Sequence, residues 1–303
     1  MHTSSQAIYF SQFFTKEFSM KLKALITALT LGSIISATAN AEISYQHIRN
    51  ATAKIQYGDA TFLVDPYLAE KGAYEGFAGT PNSQLRNPLI ALAEPVESVL
   101  KGVDAVIVTH THDDHWDKAA QELISKDLPI FVQDTNDAKI IRAQGFKDVR
   151  VVGKNTPFKN VKLSKTGGQH GTDEMYANPM LAELLGEVMG VVFQTENEKT
   201  LYIVGDTVWN GEVEAALKQY NPEVVVMNTG GAELENFEPA GIIMDTNDVA
   251  KMAETMPKAN IITVHMDTVN HGTVSKADMR EFIKGKAFEN RVAVPNESEV
   301  LKY

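Results

Sequence analysis

Along most of the chain, short runs of β-branched and aromatic residues alternate with stretches whose apolar positions recur at helical spacing. Thr52–Tyr57 and Ala60–Val64 flank a Gly58-Asp59 pair, which together predict a β-hairpin. Asp104–Val108 is a continuous apolar run, the pattern of a strand covered on both faces. Further strands are expected at Pro129–Val132, Val149–Val152, Val161–Ser164, Gly190–Gln194, Leu201–Val204, Val224–Met227 and Ile261–Val264. Helical patterns lie between them, at Trp116–Ser125, Asp137–Ala143, Val213–Tyr220, Asn247–Glu254 and Lys276–Ile283. Strands dominate early and helices intervene throughout. This order predicts an α/β (α+β) arrangement of sheets covered by helices on their outer faces, not a simple doubly wound sheet. Leu68–Arg86 is rich in Gly, Pro and Asn and reads as a long loop, a segment type that in compact domains is usually functional or disordered.

Residues 1–41 stand apart. Met20-Lys21-Leu22-Lys23 is basic, Ala24–Ile35 is apolar, and Ala39-Asn40-Ala41 is an A-x-A site. In that order they describe a secretory signal peptide cleaved after Ala41. The apolar run is shorter than the roughly 20 residues of a bilayer span. Residues 1–19, with Tyr9, Phe10, Phe13, Phe14 and Phe18, do not resemble the start of a leader, so translation is expected to begin at Met20. The expected product is a periplasmic or secreted protein without a membrane anchor, residues 42–303 forming one domain.

Composition narrows the function classes. The 303-residue chain has no cysteine, which excludes disulfides, thiolate metal sites and cysteine nucleophiles. Its net charge is −11, and removing the +2 carried by residues 1–41 leaves −13. So acidic a chain is a poor partner for nucleic-acid phosphates or an anionic membrane. The expected partner is a small molecule, and a homo-oligomer is compatible with everything in the sequence.

The chemistry falls at strand ends. Thr109-His110-Thr111-His112-Asp113-Asp114-His115-Trp116 follows the Asp104–Val108 run and places His110, His112, Asp114 and His115 in the order H-x-H-x-D-H. His110 and His112 face the same side where the chain is still extended. Asp114 and His115 follow as it turns toward a helix, so one segment can serve two metal ions. A cluster of unligated surface histidines would explain the composition but not this spacing at the end of a buried strand. His170 lies in a glycine-rich loop after a strand, Asp206 follows Gly205 at the end of another, and His265 ends a third. Each is weak alone; together with H-x-H-x-D-H they form a set.

With these motifs the chain resembles the metallo-β-lactamase-fold hydrolase superfamily, and within it the branch of L-ascorbate-6-phosphate lactonase-like proteins. The resemblance extends over nearly all of residues 42–303, through Leu63-Val64-Asp65-Pro66, Arg86-Asn87-Pro88, Gly168-Gln169-His170-Gly171-Thr172, Gly205-Asp206-Thr207-Val208-Trp209 and Val264-His265-Met266. It implies a four-layer αββα sandwich with a dinuclear site at one edge. His110, His112 and His170 would hold one ion. Asp114, His115 and His265 would hold the other, with Asp206 bridging. Nitrogen and oxygen donors suit Zn²⁺ and permit Mn²⁺ or Fe. The superfamily's β-lactamases carry Cys or Ser where Asp206 stands, so Asp206 counts against β-lactam cleavage.

The implied function is that of a dinuclear metal-dependent hydrolase. A metal-bridging hydroxide would attack a small ester, lactone or similar centre, and the residual positive charge would favour an anionic substrate. Asp114 and Asp206 are the expected catalytic carboxylates, with Asp114 a candidate for relaying a proton. His271, Arg86 and Trp209 are candidates for touching substrate, as are Tyr67 and Tyr74, each with a plain structural reading beside it. Asp65, at a strand end, is placed to orient a ligand histidine. Alternatives are a phosphodiesterase of the same fold, or a non-catalytic protein that binds metal or ligand.

Overall fold

Thr52–Tyr57 and Ala60–Val64 pair antiparallel from Ala53↔Val64 to Tyr57↔Ala60, and Gly58 turns the chain between them at φ +56°. The computed structural model describes residues 42–303, so the leader expected at 1–41 lies outside the described residues.

In chain order, β1 (Ser44–Arg49), β2 (Thr52–Tyr57) and β3 (Ala60–Val64) lead into α1 (Val96–Leu100), β4 (Ala105–Val108), α2 (Lys118–Leu123), β5 (Ile130–Val132), α3 (Thr135–Ala143) and β6 (Val149–Val151). The second half begins with β7 (Thr156–Phe158), β8 (Val161–Thr166), α4 (Asp173–Tyr176), α5 (Pro179–Leu185), β9 (Gly190–Gln194) and β10 (Leu201–Ile203). It continues with α6 (Gly211–Tyr220), β11 (Val224–Asn228), α7 (Thr246–Thr255), β12 (Asn260–Val264), α8 (Lys276–Ile283), β13 (Val292–Ala293) and β14 (Val300–Lys302).

Two seven-stranded sheets result, ordered β14-β1-β2-β3-β4-β5-β6 and β13-β12-β11-β10-β9-β8-β7. In each, one side is parallel, β3 to β6 and β10 to β13, while the other side is antiparallel. Three apolar layers follow from the alternation of side chains along the strands. Ile107 faces the other sheet, among Ile55, Phe62, Phe193, Ile203 and Val264, whereas Val106 and Val108 face outward under α1, α2 and α3. On the second sheet Tyr202, Val225 and Ile261 turn outward under α6, α7 and α8. The architecture is a four-layer αββα sandwich. Phe62 and Phe193 meet edge to face across the inter-sheet layer at 5.3 Å, and each buried ring of this kind contributes about 2–3 kcal/mol.

The structure differs from expectation mainly at the edges. β1, β7, β13 and β14 lie outside the expected strands; β7, β13 and β14 are two or three residues long and sit at sheet edges, where pairing rather than pattern decides. The helix expected at Trp116–Ser125 is only Lys118–Leu123, because the Asp117 side chain caps it by accepting from Ala120 N. Trp116 belongs to the preceding turn, its backbone N–H donating to His112 O. The expected loop Leu68–Arg86 holds no helix or named strand. Buried Arg49 donates to Tyr67 O and Ala69 O, while Asp117 accepts from Leu68 N, Ala69 N and the Tyr74 hydroxyl. These contacts fix the start of the loop.

Candidate metal centre

The parallel strands of both sheets end at one end of the sandwich. Asp65 follows β3, His110 follows β4, and Asp206 and His265 follow β10 and β12; the loop after β8 adds His170. Three groups of donor atoms come within 4.8 Å of one another: His110–His112–His170, Asp114–His115–His265, and His110–His115–Asp206. Asp206 Oδ2 lies 3.1 Å from His115 Nε2, 3.5 Å from His265 Nε2 and 3.8 Å from His170 Nε2, between the first two groups. All seven side chains are buried except His112, which is half-buried.

The hydrogen bonds on the outer side of the rings decide what the inner side can hold. His112 Nε2 lies 3.0 Å from Leu184 O and His170 Nδ1 lies 2.9 Å from Ile242 O. A carbonyl only accepts, so each of these nitrogens carries the proton. His115 Nδ1 faces Asp65 Oδ2 at 2.9 Å, with the same consequence. The Thr109 hydroxyl donates to Asp65, leaving its oxygen to accept from His110 Nδ1 at 3.2 Å. In their neutral forms all four rings therefore turn a bare nitrogen inward. His110 Nε2 and His112 Nδ1 face each other at 3.0 Å, two lone pairs with no proton between them. Such a set, with two carboxylates added, is satisfied by cations and by nothing else in the chain; the residues fit the two ions implied by the resemblance.

Charges agree with this reading. Burial, reinforced by neighbouring imidazoles, holds His110 well below the ordinary histidine range and brings His112 to about 4. Burial lowers His170 as well. His115 and His265 go the other way: burial alone would lower them, but Asp206 and Asp114 outweigh it and raise both. Burial would raise Asp114 and Asp206, yet the adjacent imidazoles hold both well below the carboxylate range. Asparagines fix the carboxylates: Asn228 Nδ2 donates to Asp206 Oδ1, and Asn50 Nδ2 to Asp114 Oδ2 at 3.2 Å. Asn228 ends β11 and Asn50 follows β1, so the strand-end rule that exposes Asp206 would have exposed Asn228 too.

A cavity of about 400 Å³ opens onto these groups. His112, Asp114, His170 and Asp206 form its floor, Phe77, Leu184, Leu185, Leu234 and Ile242 form an apolar wall, and His271 stands among them. No Lys or Arg of the described residues lines it, so the anionic substrate expected from residual charge meets no cationic side chain here. His271 is thus the one substrate candidate that the structure brings to the cavity. Arg86 is not in the wall: it pairs with Glu75 and donates to Gly72 O and Ala73 O at the surface. Trp209 also lies elsewhere, its Nε1 donating to Glu214 and its ring under the Lys251 ammonium. Tyr67 and Tyr74 stack on each other near Arg49 and brace the loop. For Arg86, Trp209 and Tyr74, neighbours in the fold satisfy the polar end that was expected to meet substrate. The wall residues Phe77, Leu184 and Ile242 come from loops and a short helix whose placement no local pattern reveals.

Comparison with known proteins agrees with the geometry. The β-lactamase superfamily domain matches residues 60–266. The UPF0173 protein YddR of Bacillus subtilis is 41% identical over 252 residues, covering 83% of this chain and 96% of its own. More distant relatives bear the name UPF0173 metal-dependent hydrolase. A crystal structure described as a possible metal-dependent hydrolase from Veillonella parvula superposes with a TM-score of 0.84 at 51% identity, over 86% of this chain and 99% of that one. The isothiocyanate hydrolase from Delia radicum gut bacteria superposes with a TM-score of 0.82 at 44% identity, over 85% and 98%. The metal-binding architecture, the sandwich around it and these likenesses converge: the chain belongs to the β-lactamase superfamily, among the UPF0173 metal-dependent hydrolases.

Proposed function

We propose that the protein is a two-metal hydrolase of small, uncharged electrophiles carrying an apolar tail, with isothiocyanates the foremost substrate class and esters and lactones next. The observation that carries this reading is the juxtaposition of two donor triads around Asp206 with an apolar wall free of Lys and Arg. The 44% identical isothiocyanate hydrolase supports the substrate class. A phosphodiester would bring an anion to a wall that offers it no side-chain cation, and so ranks behind.

When bound, two divalent ions, with Zn²⁺ the first expectation, supply Lewis acidity and ease the ionisation of water. The protein's own groups do the rest. Leu184 O, Ile242 O, Asp65 and Thr109 set the tautomers of His112, His170, His115 and His110, so that each ring in its neutral form turns its bare nitrogen inward. Asn228 and Asn50 aim Asp206 and Asp114. Asp114 lines the cavity and, with Oδ2 engaged by Asn50 and His265, has its other carboxylate oxygen to relay a proton from water to the leaving atom. For an isothiocyanate the balance is R–N=C=S + H₂O → R–NH₂ + O=C=S: the C–N bond breaks, water oxygen bonds carbon, and both water protons end on nitrogen. The apolar wall takes R. The leader-like residues 20–41 support placing this chemistry outside the cytoplasm.

Two measurements test the proposal. Elemental analysis of the purified protein should give close to two metals per chain, with loss in His110→Ala; one or none would refute the dinuclear assignment. A panel of allyl and benzyl isothiocyanates, p-nitrophenyl acetate, a γ-lactone and bis-p-nitrophenyl phosphate should show kcat/KM for an isothiocyanate at least 100-fold above the phosphodiester. The reverse order would overturn the substrate class.

A further inference from the structure

The geometry points to a specificity device: Asn270 clamps the loop over the cavity so that Phe77, braced edge-on by His271, forms the wall that selects the substrate's apolar tail. This inference rests on the hydrolase reading above and deepens it.

Asn270 is buried, with every polar atom of its side chain in use. Its Oδ1 accepts from Phe77 N at 2.9 Å and from Asn87 Nδ2 at 2.8 Å. Its Nδ2 donates to Thr80 Oγ1 and to Pro81 O, both at 2.8 Å. Its own N–H donates to Asn87 Oδ1 at 2.9 Å, and its carbonyl accepts from Asn82 Nδ2 at 3.3 Å. All of these partners lie between Phe77 and Asn87, so the residue ties down the loop more than it anchors itself. Residues 77–87 contain no helix or named strand, so their backbone groups have little else to fix them. Thr80 closes the unit by donating from Oγ1 back to Phe77 O at 2.6 Å.

The clamp delivers Phe77 to a defined place. Its ring meets that of His271, the residue after the clamp, at 4.9 Å and nearly perpendicular. Both line the cavity beside the candidate metal donors. His271 is buried, and its Nδ1 has no hydrogen-bond partner in the fold. Nδ1 is shut away from solvent, so the edge that the ring can offer to the cavity is Nε2, for which the fold supplies no hydrogen-bond partner. The pair therefore gives the cavity two functions in one contact: Phe77 offers an apolar face to the tail, and His271 offers a polar edge to the heteroatom at its root. Loosening Asn270 would move both together, whereas the donor triads, held by Asp65, Asn50 and Asn228, would stay.

The test uses binding, independent of turnover. Acetohydroxamate and phenylacetohydroxamate share a metal-chelating head and differ in the tail, and calorimetry on the metal-loaded full chain measures the gain that the phenyl group provides. Wild type should bind the phenyl compound tenfold or more tightly than acetohydroxamate. In Phe77→Ala and Asn270→Ala that gain should fall at least fivefold, with acetohydroxamate affinity and metal content within twofold of wild type. Hydrogen exchange at residues 77–87 should quicken in Asn270→Ala. Should that variant fail to fold, Thr80→Val, which removes one strand of the clamp, should show the same direction. An unchanged tail gain in Phe77→Ala, or no tail gain in wild type, would overturn the inference. A normal tail gain beside absent isothiocyanate turnover would instead overturn only the substrate class proposed above.

Discussion

Asp65 illustrates how one carboxylate connects strand to site. It follows β3 in a left-handed conformation, φ +44°, and its two oxygens accept from Thr109 N, the Thr109 hydroxyl and His115 Nδ1, at 2.7, 2.7 and 2.9 Å. It thus fixes one ligand directly and, through Thr109, the tautomer of His110. Asp65→Ala should lower metal affinity roughly 10–100-fold, read by competition with a chromogenic chelator; unchanged affinity would reduce Asp65 to a support of the Thr109 turn. His47 makes a separate prediction, far from the ligands in sequence and unassigned to any chemistry. Burial, with a further push from Lys276, lowers it to about 3. The unfolded chain protonates this ring below about pH 6.5, while the folded protein does not until near 3. Between those values the unfolded state binds the extra proton, so stability falls as pH drops, by at most about 1.4 kcal/mol per unit. His47→Gln should flatten urea-melt stability between pH 6.5 and 4.5 relative to wild type; equal slopes would contradict the assignment.

At the scale of elements, strand ends do the positioning and glycines permit it. Gly205, just before Asp206, sits at φ +78°, and a Cβ there would lie 2.5 Å from Met189 O. Gly205→Ala should cost roughly 2–4 kcal/mol and reduce metal content together, by denaturant titration and elemental analysis. Stability lost with metal retained would show that the Asp206 carboxylate tolerates a shifted strand end. The same scale shows what a linear reading reaches. Apolar runs in β4, β10 and β12 are interior strands buried on both faces, and the residues just past them carry the candidate donors, so His110, Asp206 and His265 were legible as strand-end residues once read together with the H-x-H-x-D-H motif. The hairpin, and α8 with its Ser275–Asp278 capping box, were legible because local chemistry specifies them. Phe77, Leu184 and Ile242 were not. Their places depend on hydrogen bonds to partners far away in the chain, as Phe77 N depends on Asn270, and no local period encodes that. Arg86 and Trp209 looked apt by position near the motifs, but Glu75 and Glu214, close by in sequence, claim their polar ends.

For the whole molecule, the donor set is divided between the two sheets: His110, His112, Asp114 and His115 follow β4 in one, while His170, Asp206 and His265 follow β8, β10 and β12 in the other. Metal binding and global folding should therefore be coupled. At free metal about 1,000 times Kd, each site would add about 4 kcal/mol, and for a domain of this size each kcal/mol moves Tm by roughly 2–4 °C. Chelation should lower Tm by about 10 °C or more, recovered on adding Zn²⁺; a Tm indifferent to chelator would detach the donors from the fold's stability.

A chain without a single cysteine has no covalent means of tying its halves together. Coordination from His110 to His265 would close a loop of more than half the chain, the topological role that a disulfide plays elsewhere, but one that is made and undone by metal supply instead of by redox state. Such a molecule would be indifferent to reductants and vulnerable to chelators, and its lifetime would be set by the scarcity of metal around it.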